Sequence, residues 1–161
     1  MLGELNDQQI EDLLREAVIG RIGCHVDDRT YIVPISYAYD GEAVYGHSAS
    51  GTKVRMMRAN PSVCFEVEHV DDLANWRSVI AWGSYEELTG EAAAAGMQAL
   101  LTRFTPLLTS ATAGPRLGPD GTPLPPSGHT AHPGHAVGAP GHDAVLFRIR
   151  LAEKTGRFEK R

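Results

Sequence analysis

Apolar positions along the chain follow two periods. Ile10, Leu13, Leu14 and Ala17 recur at helical spacing, with Glu11, Asp12, Arg15 and Glu16 on the other face. Asn6 followed by Gln9 fits a capping box at the start of that helix. The pattern then changes to strands. Gly20–Val26 is short and apolar, and Asp27-Asp28-Arg29 reads as a turn. Thr30–Tyr39 is rich in β-branched and aromatic residues. Pro34 removes a ladder donor from it, which marks an edge, a bulge or backbone that faces a ligand. Asp40-Gly41 is a two-residue turn signal, so Thr30–Ser48 is expected to be a hairpin returning through Glu42–Ser48.

The spacing predicts a short helix over Ser50–Asn60, with Ser50 as N-cap. Val54, Met57 and the stem of Arg58 face the core, and Asn60-Pro61 is the stop. Ser62–Val70 alternates, with Val63, Phe65 and Val67 on one face and Cys64, Glu66 and Glu68 on the other. After a loop over Asp71–Asn75 comes a long strand, Trp76–Leu88, in which Gly83 marks a bend or bulge. Glu91–Phe104 is Ala-rich and helical. A final strand covers Ala144–Leu151, and Lys154–Arg161 reads as a basic tail. Hairpin-like connections dominate and no βαβ unit repeats. The fold class expected is α+β, mainly antiparallel β, a barrel or strongly twisted sheet with flanking helices.

Between Thr109 and His142 the composition changes. Seven of the chain's 10 prolines and seven of its 17 glycines lie there, with few large apolar residues. Such a stretch buries too little surface to offset its ordering entropy, so 109–142 is expected to be a mobile insertion in a single domain, 1–161. His129, His132 and His135 recur every third residue within it, but Pro133 and Gly134 forbid a regular helix. No metal site is expected there.

Charge narrows the function classes. The 161 residues carry 15 Lys+Arg against 20 Asp+Glu, a net −5. That excess of acid argues against nucleic-acid binding, which needs clustered positive charge. No signal peptide and no bilayer-spanning apolar run is evident, and the two cysteines, Cys24 and Cys64, have no CxxC spacing. Buried free thiols in a cytoplasmic protein are the expectation.

The densest chemistry is Gly46-His47-Ser48-Ala49-Ser50-Gly51-Thr52-Lys53, which runs from a strand end into a helix start. Small residues let the backbone approach a ligand, and free N–H groups at a helix N-terminus favour a phosphate. Lys53, Arg55 and Arg58 add local positive charge. A phosphate-bearing ligand is expected here. Gly46 to Gly51 has P-loop spacing, but Thr52-Lys53 reverses the required Lys-Thr order and the βαβ context is missing. His47 reads as a base, a ligand contact or a hydrogen-bonded strand histidine, and a neighbouring phosphate site favours the ligand contact. Glu66 and Glu68 read as a solvated or dimer-facing strand surface.

Several segments in order resemble a known family: Arg21-Ile22-Gly23, Val33-Pro34-Ile35-Ser36-Tyr37, Tyr45-Gly46-His47-Ser48-Ala49 and Gly51-Thr52-Lys53. Asn60-Pro61-Ser62-Val63-Cys64-Phe65-Glu66-Val67 and Ser78-Val79-Ile80-Ala81-Trp82-Gly83 continue the set. Over roughly Leu13 to Phe104 the chain resembles the pyridoxamine 5′-phosphate oxidase-like FMN-binding split-barrel family, in its nitroimidazole-resistance (Nim-type) branch. The resemblance implies an antiparallel split β-barrel and a homodimer with FMN at each of two interface sites. It implies that Val33, Pro34, Ile35, Ser36 and Tyr37 run beside the isoalloxazine edge, and that His47, Ser48, Ser50 and Lys53 line the ribityl-phosphate side. Trp76 and Ser78 would contribute from the same or the opposite subunit. His47 would lie close to the flavin and is the catalytic candidate.

The activity so implied is a flavin-dependent oxidoreductase. It would take electrons from a donor such as NAD(P)H and reduce a small aromatic or nitro-aromatic acceptor. An F420-dependent reductase of the same fold, a haem-binding relative and a non-catalytic flavin module are the alternatives. The chain lacks the long C-terminal substrate-binding portion of true pyridoxamine 5′-phosphate oxidases, which argues against vitamin B6 oxidation.

Overall fold

A computed structural model describes residues 1–108 and 144–161 of the chain. The expected insertion over 109–142, with His129, His132, His135 and His142, lies outside the described residues.

The first helix, α1 (Asp7–Glu16), begins where the capping box places it. The Asn6 side chain accepts from the Gln9 N–H at 2.9 Å, and the Asn6 N–H donates to Gln9 Oε1 at 2.9 Å. Two of the four orphan donors of the first turn are thus satisfied. Ile10, Leu13 and Leu14 are the buried stripe. A three-residue strand, β1 (Leu2–Glu4), precedes the helix.

Then β2 (Ile19–Val26) and β3 (Arg29–Ser36) form a tight hairpin. Its two turn residues, Asp27 and Asp28, both have left-handed φ, 51° and 58°. That is the turn hand that matches strand twist, and aspartate tolerates it. The run continues through Tyr37 into β4 (Ala38–Tyr39), turns at Asp40-Gly41 and returns as β5 (Ala43–Ala49). The expected Thr30–Ser48 hairpin is therefore shorter than its sequence pattern. Only Ala38 and Tyr39 pair with β5, opposite Tyr45 and Val44, whereas Arg29–Ser36 pairs with β2 instead. A strand that is apolar on alternate positions can satisfy either neighbour, and here it serves both.

Next come α2 (Thr52–Ala59), β6 (Ser62–Asp72), β7 (Asn75–Glu87), α3 (Gly90–Leu108) and β8 (Ala144–Glu159). The order of strands in the sheet is β3-β2-β6-β7-β8-β5-β4, with β1 on β8, and all pairings are antiparallel. Because β3 and β4 are one continuous run, the sheet closes on itself through Tyr37. This is an antiparallel split β-barrel. Beyond the two paired positions of β4, no ladder joins β3 to β5 among the described residues.

Phe65, Val67, Val79, Ile22, Val44, Phe147 and Ile149 fill the interior, with Leu13, Leu14 and Met57 closing it from the helices. The Phe65 ring meets Tyr37 edge to face at 4.9 Å. It also covers Gly20 so closely that an added Cβ would lie 2.2 Å from its Cζ. Phe147 covers its ladder partner Gly46 in the same way, at 2.5 Å. A smaller cluster, Ala38, Leu88, Leu100 and Leu146, sits under α3. As expected, Gly83 marks an irregularity: the β7–β8 register shifts between Trp82 and Gly83.

Two further differences have simple causes. Lys154–Arg161 is not a free tail: residues up to Glu159 continue β8, paired with β7 on one side and β1 on the other. Gly156 and Phe158 alternate inward there, a pattern hidden by the surrounding charge. The last helix extends past Phe104 through Pro106 to Leu108.

The 40–41 turn is held by one carboxylate. Asp40 Oδ1 accepts from the Glu42 and Ala43 N–H groups at 2.8 Å each, and Oδ2 accepts from the Tyr45 hydroxyl at 2.9 Å. Partial desolvation alone would raise the Asp40 pKa, but these hydrogen bonds outweigh it and hold it below the usual value. A carboxylate with a depressed folded pKa stabilises above its unfolded pKa of about 3.9 and loses that contribution as pH falls through the folded value. Asp40→Ala should therefore cost about 1 kcal/mol near neutrality, modest because water screens the group. The difference from wild type in urea midpoint should vanish in acid.

Candidate functional site

The start of α2 gathers the phosphate-seeking features. Its N-cap is Gly51, not the expected Ser50, and no side chain caps it. Ser50 is exposed and sits one residue too early for capping. The first-turn N–H groups therefore lack a side-chain acceptor and leave a positive helix end. Val54 and Met57 are fully buried, and Asn60 Nδ2 donates to the His25 carbonyl at 2.9 Å, so both the body and the end of the helix are fixed to the barrel.

The three cations of this region separate. Arg58 is paired with Glu87, so its guanidinium is engaged and its stem does not join the core. Arg55 donates to Thr52 Oγ1 at 3.2 Å. Lys53 is half-buried beside Cys24 and has no hydrogen bond or ion pair among the described residues. Burial lowers its pKa, and no carboxylate offsets that. A half-desolvated ammonium without a counter-charge, at an uncapped helix start, is poised for an anion.

The other sequence-named residues divide by position. His47 is exposed and Ser48 half-buried on β5, opposite Leu146 and Val145 of β8. The Ser48 hydroxyl donates to the Ala49 carbonyl at 2.8 Å. Val33, Pro34, Ile35 and Ser36 lie on β3, whose second edge is free of ladder partners among the described residues. Pro34 thus stands on an edge strand, one of the places its sequence context allowed. Tyr37 differs from its neighbours. It is 1% exposed, and its hydroxyl donates to the Leu14 carbonyl at 2.6 Å, so its ring belongs to the core. Its backbone N–H donates to the Val18 carbonyl at 3.3 Å. β3 keeps one ladder edge unpaired among the described residues, and Lys53 stands at the start of α2 near Cys24 of the neighbouring β2.

Trp76 and Ser78 stand elsewhere. They lie on β7 opposite Val70 and Glu68 of β6. Cys64 pairs with Gly23, next to Cys24. Ser78 is thus four ladder positions from the Cys64 level, roughly 13 Å, and Trp76 six, roughly 20 Å. They point along the outer sheet face, away from Lys53. Glu66 and Glu68 share that face, and Arg21 Nη1 lies 3.0 Å from each. The paired carboxylates are a bridged surface pair. Sequence reading missed this Arg21 clamp, although Arg21 at the same alternation as Gly23 on β2 signals it. Both cysteines are free; Cys24 is buried and Cys64 half-buried. No helix among the described residues is long and apolar enough to cross a membrane.

Comparison with known proteins places this architecture. The profile of the pyridoxamine 5′-phosphate oxidase family matches residues 6–115, and the chain belongs to that family. An uncharacterized protein of Rhizobium meliloti (strain 1021) is 33% identical over 84 residues, covering 52% of this chain and 56% of the relative. The match thus spans little more than half of that relative's length. Among solved structures, an FAD-binding protein of Mesorhizobium loti superposes with a TM-score of 0.72 at 24% identity, over 100% of this chain and 98% of the other. A candidate 5-nitroimidazole antibiotic resistance protein of Bacteroides thetaiotaomicron gives 0.67 at 15% identity, over 98% and 87%. An FAD and haem binding protein of Mycobacterium smegmatis gives 0.65 at 14% identity, over 99% and 74%. These structural likenesses establish the fold.

Proposed function

We propose that this chain is a flavin-dependent oxidoreductase that binds FMN as a homodimer and reduces a small aromatic or nitro-aromatic acceptor. The observation that carries the reading is Lys53: a half-buried ammonium with no counter-charge, at the uncapped start of α2. A terminal phosphate monoester is the anion such a donor set suits, since it has charge for the ammonium and oxygens for several N–H groups. In this reading Lys53 and the first turn of α2 hold the phosphate, with Ser48 and Ser50 beside it. Backbone groups of Val33, Pro34, Ile35, Ser36 and Tyr37 border the ring system. His47 supplies an imidazole at a cleft between the β3 and β5 edges that the ligand would occupy, and Trp76 and Ser78 complete the site.

A bound flavin would supply the redox chemistry, accepting two electrons from NAD(P)H and passing them to the acceptor. The chain's own part is to anchor the phosphate, align the ring along the β3 and β5 edges and shield it from water. No carboxylate–histidine pair converges on the cleft among the described residues, which suits chemistry carried by the cofactor. A cytoplasmic location is part of the same proposal.

The FAD-binding description of structural neighbours supports a second reading, in which the flavin is the dinucleotide. The mass of the flavin released from purified protein separates the two. Adding NAD(P)H to the flavin-loaded protein without oxygen tests the activity. Rapid bleaching of the visible flavin band, restored by a nitro-aromatic compound, is expected. An absence of bleaching with either nicotinamide cofactor would reduce the protein to a flavin-binding module.

A further inference from the structure

In the sequence, Asn60-Pro61 reads only as the stop of α2. In the fold the Asn60 side chain is also a bridge. Its Oδ1 accepts from the Ser62 N–H at 3.2 Å, and its Nδ2 donates to the His25 carbonyl at 2.9 Å. The β2–β6 ladder pairs Arg21 with Glu66, Ile22 with Phe65 and Gly23 with Cys64, and then ends. Carried further, that register sets His25 opposite Ser62. The Asn60 amide stands between these two backbones and replaces the missing rung. The Asn60 N–H donates to the Met56 carbonyl in the last turn of α2 at 2.8 Å. One half-buried residue thus joins the end of the helix, β2 and β6.

That joint lies at the opposite end of α2 from the phosphate-seeking turn. Lys53 precedes Asn60 by about 11 Å along the helix axis. Val54 and Met57 press the helix onto the barrel by apolar contact, which has no direction and sets depth better than tilt or slide. The Asn60 hydrogen bonds are directional and fix both. A tilt of about 10° at Asn60 would move the first turn by about 2 Å over that length. N–H···O bonds hold only within about 2.7–3.2 Å, so such a shift takes donors off a bound anion. β3 needs no such support. It is held on β2 along a continuous ladder, from Ile19 with Ser36 to Val26 with Arg29. β2 therefore carries the two halves of the proposed site on separate attachments. The backbone that borders the ring is held by the long ladder, and the direction of the phosphate helix by one amide.

We propose that Asn60 is a positioning residue for the flavin phosphate: by bridging His25 and Ser62 it aims the start of α2, and with it Lys53, at the anion. This inference rests on the FMN reading above and adds a residue that acts through the helix without touching the ligand. Its effect is confined to the phosphate half of the site. Loss of the bridge leaves the β2–β3 ladder in place, so a flavin without a phosphate binds as before. A flavin with a phosphate meets a helix end that has swung away.

The test titrates the flavin-stripped full chain with FMN and with riboflavin, following flavin fluorescence. Asn60→Ala should weaken FMN binding about tenfold, as a misaligned charge-assisted contact does, and leave riboflavin binding within about twofold. Asn60→Ser should show the same split. Its hydroxyl can accept from the Ser62 N–H but is too short to reach the His25 carbonyl. Thermal melts confirm that each variant is folded at the assay temperature. In a Lys53→Ala background, Asn60→Ala should cost about threefold or less in FMN affinity, because the main contact it aims is gone. Equal losses for FMN and riboflavin in both Asn60 variants would make Asn60 a support of the whole cleft and overturn the inference. So would unchanged FMN affinity, or a further loss of about tenfold on top of Lys53→Ala. A wild type that binds neither flavin would overturn the FMN reading itself. A difference between FMN and riboflavin that depends on Lys53 and not on Asn60 would overturn this inference alone.

Discussion

Lys53→Ala is expected to weaken FMN binding about tenfold to a hundredfold while leaving riboflavin binding unchanged. The variant removes one charge-assisted contact, worth roughly 1.5–3 kcal/mol. Riboflavin lacks the phosphate, so its affinity reports only on the ring site. The comparison thus isolates the anchor from general damage to the cleft. Fluorescence titration of both ligands against both proteins is sufficient, and equal losses for the two would remove Lys53 from the phosphate site. The pH profile adds a second mark. Burial holds the Lys53 ammonium below the usual lysine pKa in the free protein. FMN affinity should therefore begin to fall on the alkaline side before an ordinary lysine, near 10.4, would titrate. That limb should be missing in the variant.

The largest stability effect is expected at Phe65. Its ring is fully buried, packs on Tyr37 and rests on Gly20. Phe65→Ala should cost about 3–5 kcal/mol, the usual range for emptying an aromatic site in a well-packed core. Gly20→Ala should also destabilise, by about 1–3 kcal/mol, because the new methyl group meets the ring well inside contact distance. The pair is a test of direct contact. If the Gly20 penalty arises from the ring, Gly20→Ala in a Phe65→Leu background should cost far less than in wild type. Urea denaturation of the four proteins gives the coupling, and additive effects would place the Gly20 penalty in the backbone.

Much of the fold was legible because local signals agreed with it. Asn6 and Gln9 specified the first helix start, Asp40-Gly41 specified a turn, and alternation at Val63, Phe65 and Val67 specified the inward face of β6. Partner choice was less legible. Nothing in Thr30–Tyr39 states that its first part pairs with β2 and its last two residues with β5, since both pairings preserve the same alternation. The strand at Lys154–Glu159 was hidden because its stability comes from neighbours, β7 and β1, and not from its charged composition. At the candidate site, the glycine-rich helix start and Lys53 were readable from residue type and order. The burial of the Tyr37 ring was not, because an aromatic on a strand reads the same whether it faces a ligand or the core. Likewise Arg58 read as free positive charge, and only the approach of Glu87, 29 residues away in sequence, shows it to be neutralised.

The barrel's closure through Tyr37 has a consequence for motion. Where β2 and β3 share eight paired positions, β4 and β5 share two. The ring of strands is thus joined by a long zip on one side and a short clasp on the other. Opening free energy follows the number of bonds and contacts that must be given up together, so by ladder length alone the clasp is expected to open before the zip, and hydrogen exchange at Ala38 and Tyr39 checks this. The ladder-free β3 and β5 edges begin at that same clasp. A ligand lying between them would touch both sides of the weakest join. A molecule bound across them would act as the missing rungs of the ladder, adding its binding free energy to the folded form.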